Sequence, residues 1–187
     1  LPEMRKLFLL TSAIFLISCG EETLPKPKGY LSLEYPDKNY KKENLNKPYT
    51  FEIAQMAQAK DLPKNWIKVE YPSLKASVDI TYRPIEGNLR ELLIESEKLV
   101  FEHAIKADQI TAPVEYANPN TKVYGSLYQI LGNAASQVQF HATDSSKHFL
   151  KGSLFFYTKP NYDSILPAVE YIKKDMIHMM ETLEWKD

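Results

Sequence analysis

Of the 187 residues only one is cysteine, Cys19. No disulfide can close within the chain, so its fold must rest on apolar burial and hydrogen bonding. Glycine is scarce as well, six residues against twelve tyrosines and eight phenylalanines. That balance excludes a disordered chain and points to a packed sheet. There is no surplus of one charge: 23 Lys and Arg stand against 24 Asp and Glu. A nucleic-acid or polyanion binder is therefore not implied. No G-x-S-x-G elbow, phosphate loop or H-E-x-x-H pair occurs, and no internal repeat is visible. The one long apolar run, Leu7 to Ile17, is about half the roughly 20 residues needed to span a bilayer.

What is present begins with that run. Arg5 and Lys6 form a short basic region after Met4, and the apolar stretch suits the core of a secretory signal. It ends in Leu16-Ile17-Ser18-Cys19, which resembles the lipobox of bacterial lipoproteins. The resemblance implies that residues 1–18 are a signal peptide, cut away once the Cys19 thiol has taken up a diacylglycerol. A triacylated cysteine would be a firm anchor, because several lipid chains hold stably where one does not. Leu1, Pro2 and Glu3 precede Met4 and are set aside as an over-long start. The expected organisation is a signal peptide over 1–18, a lipidated Pro/Lys tether over 19–29 and a single domain over 30–187. Pro25 and Pro27 favour an extended tether.

Alternation then sets the pattern. Leu31, Leu33 and Tyr35 predict a strand over 30–35. Residues 37–48 read as a polar, lysine-rich loop. Tyr49, Phe51 and Ile53 predict a second strand, and Ile67, Val69 and Tyr71 a third. From Leu74 to Tyr82 every second residue is apolar, with Lys75, Ser77, Asp79, Thr81 and Arg83 between them, which predicts a strand with one wet face. The short Pro72-Ser73 link joins the last two as a hairpin. Asn88 with Glu91 predicts a capping box, opening a helix whose apolar stripe runs through Leu89, Leu92, Leu93, Ser96, Leu99, Val100, His103 and Ala104. Pro113 and Pro119 mark a loop. Strands follow over 122–131, 135–143 and 148–158. Asp163 or Ser164 caps a final helix, with Pro167 in its first turn and Ile165, Val169, Ile172, Met176, Met179, Met180 and Leu183 inward. The fold class is α/β of the α+β type: an antiparallel sheet sandwiched by helices. Asn65-Trp66 opening a strand and the long closing helix give a pattern that resembles the PsbP/Mog-like fold over roughly 49–185.

Candidate chemistry is sparse. His141, Asp144 and His148 flank one hairpin turn, and two His with an Asp suit zinc; a polar hairpin end is the plainer reading. His103 lies at the edge of the first helix stripe and His178 on the polar side of the last helix. Gly125-Ser126 and Gly152-Ser153 sit inside strands and read as close backbone approaches. Lys26, Lys28, Lys38, Lys41, Lys42 and Lys47 outnumber their acidic neighbours. They form either a solvated loop or a surface attracted to membrane phosphates, at about 1 kcal/mol per lysine, or to an acidic partner protein. No cofactor is implied.

The start of the mature segment carries the clearest likeness. Cys19, a few polar residues, Pro25-Lys26-Pro27-Lys28-Gly29-Tyr30 and then Tyr35-Pro36 resemble the gliding-motility lipoprotein family GldD of Bacteroidota. The resemblance implies a non-enzymatic lipoprotein of the outer membrane that assembles or stabilises the gliding and type IX secretion machinery. It implies partners among the envelope proteins of that machinery and supplies no catalytic residues. Lys26, Pro27, Lys28, Gly29, Tyr30, Tyr35 and Pro36 are the expected partner-binding segment, with Tyr30 and Tyr35 clamping the chain to the body. Gly20 in place of Asp argues against inner-membrane retention, and Glu21-Glu22 resemble a weak surface-export signal; the periplasmic side is expected, with the cell surface as the alternative. Two rival readings are a small metal-dependent hydrolase centred on His141, Asp144 and His148, and a carrier of a small apolar ligand between sheet and helix.

Overall fold

A computed structural model describes residues 35–43, 45–103, 107–157 and 161–186. Cys19, Lys26, Pro27, Lys28, Gly29, Tyr30 and most of the strand expected over 30–35 lie outside them, as does the side chain of His103.

The alternating segments become strands. β5 (Trp66–Tyr71) and β6 (Ala76–Pro84) form the expected hairpin, with Ile67 opposite Ile80 and Val69 opposite Val78. A 3-10 turn over Pro72–Leu74 joins them, and Lys75 closes it at a left-handed φ of 50°. β9 (Val123–Gly132), β10 (Val138–Thr143) and β11 (His148–Phe156) pair in succession, and β11 returns to β6. With β4 (Gln58–Leu62), β7 (Ala107–Ile110) and β8 (Val114–Asn118) they make an eight-stranded antiparallel sheet in the order β4-β5-β6-β11-β10-β9-β7, β8 also lying along β9.

Neither edge of that sheet was predicted as a strand, and the region around Pro113 was expected to be a loop. β4 is Gln-Ala-Lys-Asp-Leu, mostly exposed and carrying Lys60 and Asp61, and short edge strands with charged side chains are how natural sheets blunt an edge against unwanted pairing. β7 and β8 are one edge strand interrupted at Thr111 to Pro113. Proline cannot donate to a ladder, so Pro113 sits at the break rather than within a pairing. The single strand expected from Tyr49 to Ile53 is also divided. β2 (Tyr49–Thr50) pairs with β12 (Glu184–Trp185), while β3 (Glu52–Ala54) pairs with β1 (Tyr40–Lys42).

The two helices among the described residues cover opposite faces. α2 (Tyr162–Glu181) lays Val169, Ile172, Met176, Met179 and Met180 on the apolar face, against Val78, Leu154, Phe140 and Leu127. Pro167 lies beyond the first turn of this helix, later than the sequence suggested, and Asn161 is the cap. α1 (Leu89–His103) lies over the other face. Its start falls where Asn88 predicted, though the Asn88 side-chain oxygen accepts from the Glu86 N–H behind the helix. The polar face of β6, expected to be wet, is therefore roofed: Ser77, Ser126, Gln139, His141, Thr143 and Ser153 are buried there.

Candidate functional site

The chain reaches the domain through residues 35–42, and this lead-in is stitched to α2. Tyr35 stacks on Tyr171 at 4.8 Å between ring centroids, and the Tyr171 hydroxyl donates to the Pro36 carbonyl at 3.1 Å. Lys38 lies 3.8 Å over the Tyr171 ring, donates to the Tyr171 carbonyl at 2.8 Å and forms an ion pair with Asp175. The Asp175 side chain has no exposed surface. The Tyr40 hydroxyl donates to the same carboxylate at 3.1 Å, and the Tyr40 ring stacks on His178 at 3.6 Å. Burial first, and then the Asp175 charge, push the Tyr40 and Tyr71 hydroxyls above the ordinary phenol range, so both stay protonated beside the carboxylate. His178 in turn contacts Glu52 at 2.8 Å. Tyr35 thus packs on the body, while Tyr30, expected to clamp with it, lies outside the described residues; His178, expected on the solvated side, is enclosed by Tyr40 and Glu52.

The lysine-rich stretch is largely neutralised within the molecule. Lys38 pairs with Asp175, Lys41 with Glu43, Lys42 with Glu184 and Lys47 with Asp61. Lys47 is buried and also donates to the Leu62 carbonyl at 2.9 Å. Loop composition alone could not show this: Glu43 lies within the stretch, but Asp175 and Glu184, which answer Lys38 and Lys42, lie far away in sequence.

The histidine hairpin does not assemble a metal site. His141 and His148 point to opposite faces of the sheet, because β10 and β11 pair with His141 opposite Lys151, at odd spacing from His148. The His148 ring is 2.9 Å from the Tyr82 hydroxyl and stacks on Trp185 at 5.1 Å. Among the described residues no group of three His, Cys, Asp or Glu could hold a metal ion. Asp144 instead organises the turn. Burial alone would raise its carboxyl, but the N–H groups of His148, Ser146 and Lys147 and the Ser146 hydroxyl together bring it down to about 2. Its folded value lies below the ordinary one of 3.8, so its stabilising effect is present above that pH and lost as pH falls through about 2. Asp144→Ala is expected to cost about 2 kcal/mol at pH 7. Parallel urea titrations at falling pH should show the gap from wild type narrowing below pH 4.

Beneath α1 lies a cleft of about 340 Å³. Trp66, Leu92, Leu99, Phe149 and Phe155 form its apolar walls, and Thr81, Ser96, Ser153 and Lys151 bring polar atoms into it. Its acids are already engaged: Glu95 pairs with Arg83 at 2.8 Å, and Asp79 holds Lys68 at 3.5 Å and the Ser77 hydroxyl at 2.9 Å. On the other side of α1, His141 stacks on Phe149 at 5.9 Å, and its Nδ1 is buried with no hydrogen-bond partner among the described residues. Burial, and more weakly the Lys151 charge, lower the His141 pKa against an opposing pull from Glu115, so its imidazole is neutral at pH 7.

The sequence model of the gliding motility lipoprotein GldD matches residues 20–185. The chain belongs to the GldD family. No curated protein matches it. The match runs from just after Cys19 almost to the end of the chain, so it spans the tether segment, the clasp around Asp175 and the cleft under α1. Among the described residues of this GldD-family chain no helix is long and apolar enough to cross a membrane. Sequence reasoning missed two of its residues. Asp175 was detectable as a lone carboxylate beside Met176 within an apolar helix stripe. Lys151 gave no signal, since a lysine in an alternating strand ordinarily faces water.

Proposed function

We propose that this chain is a lipid-anchored, non-enzymatic assembly or stabilising factor of the gliding-motility and type IX secretion machinery. It acts from the periplasmic side of the outer membrane. Cys19 would fix it to the bilayer, and Lys26, Pro27, Lys28, Gly29 and Tyr30, with Tyr35 and Pro36 at the domain margin, would engage an envelope partner.

The observation that carries this reading is the clasp. Any pull on the tether reaches the domain through residues 35–42, and these are held to α2 by the Lys38–Asp175 pair and the Tyr35–Tyr171 stack. A strap fastened to a buried carboxylate passes load into the core instead of peeling away. Lys38, Lys41, Lys42 and Lys47 are paired inside the domain, so the basic contact to the partner is assigned to Lys26 and Lys28 of the tether segment. Holding that partner near the surface raises its effective concentration, to roughly millimolar for a short linker.

The test is a pull-down from intact envelopes, comparing wild type with a Lys26→Glu/Lys28→Glu/Tyr30→Ala variant that keeps Cys19. Wild type is expected to recover motility or secretion components and the variant to lose most of them. Equal recovery would move the docking face to the folded domain. Recovery by neither would remove the adaptor reading.

A further inference from the structure

The cleft under α1 holds a cation with nothing to pair with. Lys151 projects from the middle of β11, half-buried, and has no hydrogen-bond or ion-pair partner among the described residues. Glu95 and Glu102 on α1 bias its charge only from a distance, and Glu95 is held by Arg83. Asp79, the other acid lining the cleft, is occupied by Lys68 and Ser77. Burial lowers the Lys151 pKa more than those acids raise it.

An ammonium in this position destabilises an empty fold, since removing a charge from water is unfavourable unless a partner compensates. A methionine would fill the same space without that penalty. The surroundings point to what compensates it. The walls are Trp66, Leu92, Leu99, Phe149 and Phe155, and the hydroxyls of Thr81, Ser96 and Ser153 can donate beside the ammonium. One free cation with hydroxyl donors suits a single negative charge; a phosphate dianion would call for more cations or a cradle of backbone N–H groups. The volume of about 340 Å³ falls within the range of small-molecule sites.

We propose that this cleft binds a small amphiphilic monocarboxylate, its carboxylate on Lys151 and its apolar body against Trp66, Leu92, Leu99 and Phe149. The cleft shares no lining residue with the tether segment or the clasp, so its test is independent of the adaptor function.

The experiment uses the full chain carrying Cys19→Ser, which avoids detergent and leaves every described residue in place. Dodecanoate, below its micelle concentration, displaces the fluorescent dye 1-anilinonaphthalene-8-sulfonate, and neutral dodecanol serves as the comparison. Saturable dodecanoate binding is expected, tighter than that of dodecanol. Lys151→Met should weaken dodecanoate about tenfold or more, leave dodecanol within about twofold, and raise the melting temperature of the ligand-free chain. That rise also shows that the variant folds. Equal dodecanoate affinity in wild type and Lys151→Met would overturn the proposal. So would equal affinity of wild type for acid and alcohol, or no saturable binding of dodecanoate.

Discussion

A Lys38→Met chain should unfold with about 3 kcal/mol less free energy than wild type. The Asp175 carboxylate has no exposed surface, whereas the Lys38 side chain keeps a quarter of its own. Removing the lysine leaves the acid buried and facing only neutral groups, the Tyr40 hydroxyl at 3.1 Å and the Tyr71 hydroxyl beside it among the described residues. An uncompensated buried charge typically costs about 3–5 kcal/mol, and the partial exposure of Lys38 places the effect at the lower end. Replacing both partners, Lys38→Met with Asp175→Leu, should recover most of the loss, because the double variant buries no charge. Urea unfolding of the full chain, followed by circular dichroism, measures all the variants of the cycle. A single-variant loss below about 1 kcal/mol would place the pair among ordinary surface bridges. The clasp argument for load transmission would then fail with it. The same variant tests function: a loosened lead-in should become sensitive to protease near residues 35–42 while the sheet stays intact.

The second large effect is expected at Gly125. A Cβ there would lie 2.1 Å from the His141 carbonyl oxygen and 3.1 Å from the Ala142 Cα. These are backbone atoms of the neighbouring strand β10, and they cannot turn aside as a flexible side chain would. Gly125→Ala should therefore cost about 3 kcal/mol or more, the upper end of overpacking effects, and disturb the β9–β10 pairing itself. Gly152→Ala meets the Phe140 ring at 2.2 Å, so the ring must shift within a packed core, and a smaller loss is expected. Gly87 has a φ of +78° and open space around it, so Gly87→Ala should cost about 1 kcal/mol from backbone strain alone. Thermal melts of the three variants should rank Gly125, Gly152, Gly87 from most to least destabilised. A Gly125→Ala chain as stable as the Gly87 variant would mean that β9 and β10 do not approach so closely.

Much of this was legible from particular residues. Alternation from Leu74 to Tyr82 marked β6 and its apolar face, and the apolar stripe from Val169 to Met180 marked α2. The scarce glycines inside strands marked close approaches: at Gly125 the neighbour is backbone, while at Gly152 it is the Phe140 ring. The edge strands β4, β7 and β8 were illegible for a physical reason. An edge strand gains its hydrogen bonds from one neighbour and few contacts from its side chains, so its sequence need not alternate and can look like a loop.

The sequence by itself determined the family, through Cys19 and the PKPKGY segment, along with the α+β class and the inward face of each helix. Those are set by local pattern: periodicity of apolar side chains and short motifs whose meaning depends on neighbours in the chain. Only the tertiary structure decided which charges are free. Lys38 finds Asp175 and Lys42 finds Glu184 across most of the chain length, so a loop that looks basic is internally neutral. Lys151, surrounded in sequence by unremarkable strand residues, is the one that α1 covers without supplying a partner within ion-pair distance. Pairing of charges falls off within a few ångströms and is indifferent to separation along the chain, so no one-dimensional pattern can reveal it.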